Sequence, residues 1–458
     1  MARDVVILDG GEGADASRPA LAALVPTLEH RGYTVRVVSV HSLRLAHCIG
    51  CFRCWVKSPG ACSIHDDGAE LVRLVVSADL LVLFSPVSFG GYSSALKQMV
   101  DRFALPTLLP YFKFLRGETH HPLRYARAPR LLALGVQERE DPREADIFRV
   151  LAGRNAVNFH APSHAAEVLP AGDSNDALRR CVEAVIERSD PRPYRLQVDT
   201  LMPEPHPVVS QAPGTAPRHA LLIVGSPKAG HSNSAVLGHH VLARLVERGI
   251  ETSEVVLKPL LRSAPAQADL VEHAKRADLV VLAFPLYVDA LPTLATRALE
   301  VLWAHRSEWA SGDGSQRLLA ICNSGFPEAH QTTLALAICE RFAAATGMHF
   351  SGGLKLGGGE AIVNGLPLSQ SARHGRPPGH HVIQALDIAA SALSRGKNVP
   401  AEANALLAKS PIPFVPFALW QWVVHVGGTR GWTRMAAANG IRAHALVARP
   451  IAPKEVET

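Results

Sequence analysis

Two stretches far apart in the chain read as the same strand. Ala78-Asp79-Leu80-Leu81-Val82-Leu83-Phe84-Ser85-Pro86 parallels Ala277-Asp278-Leu279-Val280-Val281-Leu282-Ala283-Phe284-Pro285. Each is a continuous apolar run that ends at a proline. A strand that is apolar at every position is buried on both faces, as in a parallel sheet covered by helices on both sides. Further on, Arg130-Leu131-Leu132-Ala133 parallels Arg317-Leu318-Leu319-Ala320. Order, spacing and the terminal proline together favour two tandem copies of one domain.

The surrounding pattern fits. Short strand-like runs at Val5–Leu8, Thr34–Val40, Arg130–Gly135 and Ala220–Val224 alternate with helical spacing at Leu21–His30, Glu70–Ser77, Ser94–Phe103 and Glu144–Asn155. Another helix is expected from Ser234 to about Arg248. Alternation of this kind implies βαβ units. The expected fold class is α/β: two doubly wound parallel-sheet domains in tandem, with a helical C-terminal tail. The boundaries follow composition. Residues 1–200 form the first domain, and 201–217, with five prolines, a linker. Residues 218–395 form the second domain, and 396–458 a tail that carries Trp420, Trp422 and Trp432.

Bulk properties narrow the function. The 458 residues are 47% hydrophobic and 19% charged, which is a globular composition. A formal net charge of +6 suits anionic small ligands such as flavin or nicotinamide phosphates. There is no dense Lys/Arg run with interleaved aromatics, so nucleic acid is not an expected partner. The N-terminus reads as a strand and has no secretory apolar core. The cysteines make no sensible disulfide framework, so a cytoplasmic setting is expected. Pro411–Thr429 is apolar but carries three prolines, which argues against a membrane span.

Four of the seven cysteines, Cys48, Cys51, Cys54 and Cys62, follow the spacing C-x2-C-x2-C-x7-C. Two-residue gaps let successive thiolates turn around one centre. Pro59 and Gly60 can turn the chain so that Cys62 returns to it. Four thiolates suit a [4Fe–4S] cluster or a structural zinc, and the close packing of the first three favours iron–sulfur. Idle reduced thiols are the third reading. Cys181, Cys322 and Cys339 lie in helix-like or strand-like segments and read as small apolar residues.

In an open parallel sheet, ligands bind beyond the carboxyl ends of the strands. The first such loop of the second copy is Gly225-Ser226-Pro227-Lys228-Ala229-Gly230-His231-Ser232-Asn233-Ser234. It opens a helix, offers backbone N–H groups, a Lys and several hydroxyls, and so makes a phosphate seat. It has neither the Walker nor the G-x-G-x-x-G order. An ordinary Ser-capped helix start is the plain alternative. The equivalent loop of the first copy, Gly10-Gly11-Glu12-Gly13-Ala14-Asp15, carries two carboxylates and reads as degenerate. The third-strand loops, Pro86-Val87-Ser88-Phe89-Gly90 and Pro285-Leu286-Tyr287-Val288, offer a rigid apolar wall for a planar ring. Asn323 and Gly325 lie on the loop that can close the other edge.

Both halves resemble the flavodoxin-like NAD(P)H-dependent FMN reductases, over most of residues 4–160 and 219–365. Gly225–Lys228 with Ser232-Asn233-Ser234 resembles the FMN phosphate loop. Pro86 to Lys97, with Asp101 and Arg102, resembles the isoalloxazine loop and the helix after it. The cysteine run is similar to the compact motif of iron–sulfur flavoproteins. The first copy departs in its phosphate loop; the second lacks the cysteines and has Asp289 where the first has Gly90. The resemblance implies an FMN-dependent oxidoreductase with NAD(P)H or a ferredoxin-like protein as donor, a cluster on the first copy and FMN on the second. Its acceptor would be a small molecule or a protein, and a homo-oligomer is a further expectation. The rival readings are a non-catalytic iron–sulfur/flavin carrier or redox sensor, and a scaffold whose sites have decayed. Elsewhere, His120-His121 is expected to make loop contacts rather than a metal pair. Asp66-Asp67 is expected to cap the next helix, and the Trp-rich tail to pack or to form an interface.

Overall fold

A computed structural model describes residues 3–11, 16–115, 117–188, 214–228, 231–257, 263–312, 314–368, 379–412 and 414–451. The Glu12–Asp15 part of the first loop, Ala229-Gly230, and the linker up to residue 213 lie outside these residues. The chain divides into two units, Met1–Leu201 with Gly427–Thr458, and Met202–Val426.

In the first unit the apolar runs become strands because each can be covered on both faces. The elements are β1 (Arg3–Asp9), α1 (Arg18–His30), β2 (Tyr33–Ser39), α2 (Gly68–Ser77), β3 (Leu80–Ser88), α3 (Ser94–Thr107), β4 (Arg130–Gln137), α4 (Pro142–Asn158), β5 (His164–Pro170) and α5 (Asn175–Arg188). The strand order is β2-β1-β3-β4-β5, all parallel. Ile7, Val82, Phe84, Leu132 and Leu134 face Leu24, Leu28, Val182 and Ile186 from α1 and α5. Each such side chain contributes about 1.5–3 kcal/mol on full burial. Helix starts follow local chemistry. Ser93 caps α3 by accepting from the Leu96 amide, and Asp141 caps α4 ahead of Pro142.

The second unit repeats the plan with β6 (His219–Val224), α6 (Asn233–Val246), β7 (Glu251–Val256), α7 (Ala264–Arg276), β8 (Leu279–Pro285), α8 (Thr293–Ala304), β9 (Arg317–Asn323), α9 (Thr333–Thr346) and β10 (His349–Leu356). Its order is β7-β6-β8-β9-β10, again parallel. Both sheets therefore carry the flavodoxin-like order 2-1-3-4-5, and the fold is two flavodoxin-like domains in tandem. Each sheet has its topological switch point between the first and third strands, where ligands of this fold sit.

Helices α10 (His380–Leu393), α11 (Ala401–Leu407) and α12 (Phe417–Ala438) follow. The expected tail is helical but does not stand alone. Residues to Val426 belong to the second unit, and Gly427 onward to the first. Trp420 is buried against Gly358, Trp432 packs on Phe52 and Trp55, and Trp422 is exposed. Among the described residues, no helix is long and apolar enough to cross a membrane.

Candidate functional site

The cysteine loop lies between β2 and α2, and α3 holds it down. Arg102 of α3 donates to both Asp66 oxygens at 2.6 and 2.7 Å and to the Ala46 carbonyl at 2.6 Å. Asp66 in turn accepts from the Ala46 amide (2.8 Å) and the Gly68 amide (3.0 Å). Gln98 donates to the Leu45 carbonyl. Asp67 occupies the cap position of α2, but its carboxylate binds the Arg44 amide at 2.7 Å; the bond to the helix start comes from Asp66 instead.

Within the loop, Gly50 and Phe52 adopt φ of 61° and 55°, which turns the chain into a single helical turn, Arg53–Val56. Gly60, at φ 84°, donates its amide to the Cys54 carbonyl at 2.8 Å. The turn at Pro59-Gly60 thus brings Cys62 back. Cys48, Cys51, Cys54 and Cys62 all line one cavity, with Ile49, Phe52 and Ile64 beside them and Asp101, Arg102, Leu105 and Pro106 from α3.

Burial pushes the Cys48 thiol up to about 12 and raises Cys54 well above the usual thiol range. Without a cation these two thiols therefore stay protonated, and a metal would have to displace their protons. Among the described residues, no three His, Cys, Asp or Glu side chains are drawn together as an ion's ligands would be. The four sulfurs share a cavity wall, not a coordination sphere. In kind the donor set fits a thiolate-ligated group: four sulfurs, one enclosed space, and a loop whose turns return the last ligand.

At the carboxyl edge of the first sheet, Asp9 accepts both Arg18 amino groups at 2.8 and 2.9 Å, which occupies the start of the first loop. Ser93 donates to the Gly10 carbonyl at 2.7 Å. Pro86, Val87 and Ser88 end β3; Phe89 (φ 55°) and Gly90 (φ 84°) then reverse the chain so that Gly91-Tyr92 pairs back on it. A side chain at Gly90 would meet Ile147 at 2.7 Å, so α4 and the backbone conformation both demand glycine there.

In the second sheet the corresponding reversal is made by Val288 (φ 48°) and Asp289 (φ 61°), closed by a Tyr287–Ala290 bridge. Asn323 joins three loops. Its amide donates to Ser234 Oγ at 2.8 Å and to the Phe284 carbonyl at 3.2 Å, while its own carbonyl accepts from the Leu286 amide at 2.8 Å. Ser226 accepts from the Lys228 amide (3.3 Å), and Ser232 caps α6 by accepting from the Ala235 amide (3.1 Å). Ser226, Ser232 and Ser234 thus each accept one internal bond and keep an O–H to give, which fits an anion seat. Asn233 is spent differently: it binds Glu360 at 3.1 Å and the Gly365 amide at 2.7 Å. Lys228 and His231 are exposed, and Gly325 faces open space.

Residues 4–124 match the family described as NADPH-dependent FMN reductase. The match lies wholly within the first unit. An iron-sulfur flavoprotein of Archaeoglobus fulgidus is 36% identical over 91 residues, 20% of this chain and 38% of the relative. One of Methanocaldococcus jannaschii is 39% identical over 85 residues, 19% of this chain and 41% of the relative. The chain thus spans about two fifths of the length of these two relatives. Among solved structures, an FMN-dependent NADH-azoreductase from Bacillus anthracis is 13% identical with a TM-score of 0.28, covering 38% of this chain and 99% of that one. A flavodoxin from the domain Archaea is 11% identical with a TM-score of 0.21, covering 29% of this chain and 77% of that one.

The first unit contains two features that the sequence pattern did not single out. The first is Arg124, which is 1% exposed and donates to four carbonyls, two of them in the C-terminal segment. The second is that segment itself, which lays Trp432, Ala436 and Leu446 against Cys54, Trp55 and Val56. The contacts span more than 300 residues of sequence, so no local periodicity reports them.

The two histidines take different partners, and of these two bonds only that of His121 is a loop contact. His120 binds Asn158 at 2.8 Å, while His121 binds the Tyr111 carbonyl at 2.9 Å and lies against Trp55, with ring centroids 4.6 Å apart. Burial lowers the His121 pKa from 6.5 to about 4, against the opposing bond to Tyr111. In this window the unfolded chain binds a proton that the native state does not. Stability contributed by neutral His121 is therefore full above pH 6.5 and is lost as pH falls toward 4. The loss reaches at most about 3 kcal/mol. Urea midpoints at pH 7 and pH 4.5, compared between wild type and His121→Phe, are expected to show a steeper acid loss in wild type. Equal slopes would remove His121 from the account.

Proposed function

We propose that the protein is an FMN-dependent oxidoreductase that draws electrons from NAD(P)H and delivers them to a small-molecule or protein acceptor. The observation that carries the reading is that the segment matching the FMN reductase family also turns four cysteines onto one cavity. Cys48, Cys51, Cys54 and Cys62 would hold a [4Fe–4S] cluster. Ser226, Lys228, Ser232 and Ser234, with the first amides of α6, would hold the FMN phosphate. Pro285–Val288, Asn323 and Gly325 would border the ring, with Pro86–Gly90 the counterpart loop on the first unit. When bound, the flavin supplies hydride chemistry and the cluster one-electron exchange. The protein's share is to orient both and to fix the charge around them. The shared strand order and the repeated segments support an origin by duplication, and a cytoplasmic homo-oligomer belongs to the same reading.

Visible absorption of protein purified without oxygen, with iron, sulfide and flavin analysis, tests the cofactors. NAD(P)H turnover with an artificial acceptor tests the activity. Lys228→Glu is expected to strip flavin, since each charge-assisted bond to the phosphate contributes about 1.5–3 kcal/mol. Flavin retained in that variant but lost on changing Ser88 to Gly91 would assign FMN to the first unit.

The second reading is a carrier or redox sensor. It is favoured by Asn233, whose amide is already occupied by Glu360 and Gly365. Bound cofactors without NAD(P)H turnover would select it.

A further inference from the structure

The charges around the cysteine cavity do not cancel. Three cationic side chains with almost no exposed surface lie close by: Lys97, Arg102 and Arg124. Lys97 is paired with Asp101, one turn along α3. Arg102 is paired with Asp66 through both amino groups. Arg124 meets no carboxylate among the described residues. Its guanidinium donates to the carbonyls of Pro106 (2.9 Å), Leu108 (3.1 Å), Leu446 (2.9 Å) and Ala448 (2.8 Å). Carbonyl dipoles solvate a cation only in part, and a buried charge without a counter-ion is among the costliest features a fold can carry.

An anion that would answer this charge has its place beside it. Pro106, whose carbonyl holds Arg124 Nε, also lines the cysteine cavity. Leu446 packs in one apolar cluster with Cys54. A side chain on Gly60, inside the cysteine loop, would lie 3.2 Å from Arg124 Cδ. Neutral thiols would leave the charge unanswered. Four thiolates around a divalent metal or a cluster leave the site net negative.

We propose that Arg124 is the counter-cation of a net-anionic thiolate centre at Cys48, Cys51, Cys54 and Cys62, latched in place by the C-terminal segment. The latch is reciprocal. Leu446 and Ala448 accept from Arg124, while Arg449 Nε donates back to the Arg124 carbonyl at 2.8 Å. Gly60 keeps the path open, since a side chain there would meet Pro450 at 2.5 Å. The inference extends the proposed thiolate centre but does not require that the centre be iron–sulfur. Arg124 acts as a positioning residue: it sets the charge felt by the ligands and reacts with nothing.

The test uses the full chain. Apoprotein of wild type, Arg124→Gln and Arg124→Lys is titrated with Co2+ alone, read by thiolate-to-cobalt absorption. Wild type purified without oxygen is analysed for iron and sulfide. Arg124→Gln is expected to bind Co2+ about tenfold or more weakly, and Arg124→Lys within about threefold of wild type, because lysine keeps the charge but not the fork. Ala448→Asp is a second variant, at an exposed position whose carbonyl already holds Arg124. It adds a carboxylate near the guanidinium without removing a bond, and is expected to weaken Co2+ in the same direction; this decides the matter where Arg124→Gln does not fold. Equal losses in the Gln and Lys variants, or none in any variant, overturn the proposal. So does a wild type that takes up neither Co2+ nor iron and sulfide. Charge-dependent Co2+ binding without iron or sulfide leaves the counter-cation standing and removes the cluster reading.

Discussion

Asp66→Ala is expected to destabilise the first unit by about 3–5 kcal/mol, the usual loss when one partner of a buried ion pair is removed. The carboxylate has four bonds to lose: two from Arg102 and one each from the Ala46 and Gly68 amides. The Arg102 side chain is only 1% exposed, so the variant strands a buried guanidinium. Asp66 is the less buried partner, which places the effect toward the lower end of the range. Asp66→Asn keeps the shape and one acceptor and is expected to lose less. Burial alone would raise the Asp66 carboxyl, but the bonds from Arg102, Ala46 and Gly68 hold it below the usual carboxylate range. Its contribution is therefore present above the unfolded carboxyl's pKa of 3.8 and is lost as pH falls below it. Urea denaturation of the full chain measures the effect. A loss under about 1 kcal/mol would mean that the loop is held by packing alone, as at an exposed pair.

Serine at any one of Cys48, Cys51, Cys54 or Cys62 is expected to remove most bound iron and sulfide, whereas alanine at Cys181, Cys322 or Cys339 leaves them in place. The first four share one cavity. Cys322 lies inside β9 and Cys339 inside α9, both fully buried, and burial drives both thiols far above their usual range. Cys181 is on α5, half-buried against the core of the first unit. These three pack as small apolar residues. Metal and sulfide analysis after anaerobic purification checks the outcome. Stoichiometric zinc without sulfide would sink the iron–sulfur assignment while keeping the four ligands. Metal content unchanged in a Cys54→Ser variant would sink the ligand set.

The central strands of both sheets were legible in local pattern: runs apolar at every position, such as Leu80–Phe84 and Leu279–Phe284, leave no solvent face and call for a doubly covered parallel sheet. Strands β5, β7 and β10 carry polar or half-buried residues without that signal, and the strand order is a long-range property that only the fold supplies. The cysteine spacing was equally local, because turns at Gly50 and Gly60 act within a few residues. Tertiary structure alone decided what surrounds those cysteines. Arg102 reaches back 36 residues to Asp66, and Arg124 reaches forward more than 320 residues to Leu446 and Ala448. Neither distance leaves a trace in periodicity or composition. The same holds for the tail. Its apolar residues were plain, but which surface Trp420 and Trp432 would cover depended on where the folded units offered space. Charge balance in a buried site is a property of what comes together in three dimensions: Lys97, Arg102 and Arg124 look alike as basic residues in sequence, and only the fold gives the first two a carboxylate and the third, among the described residues, none.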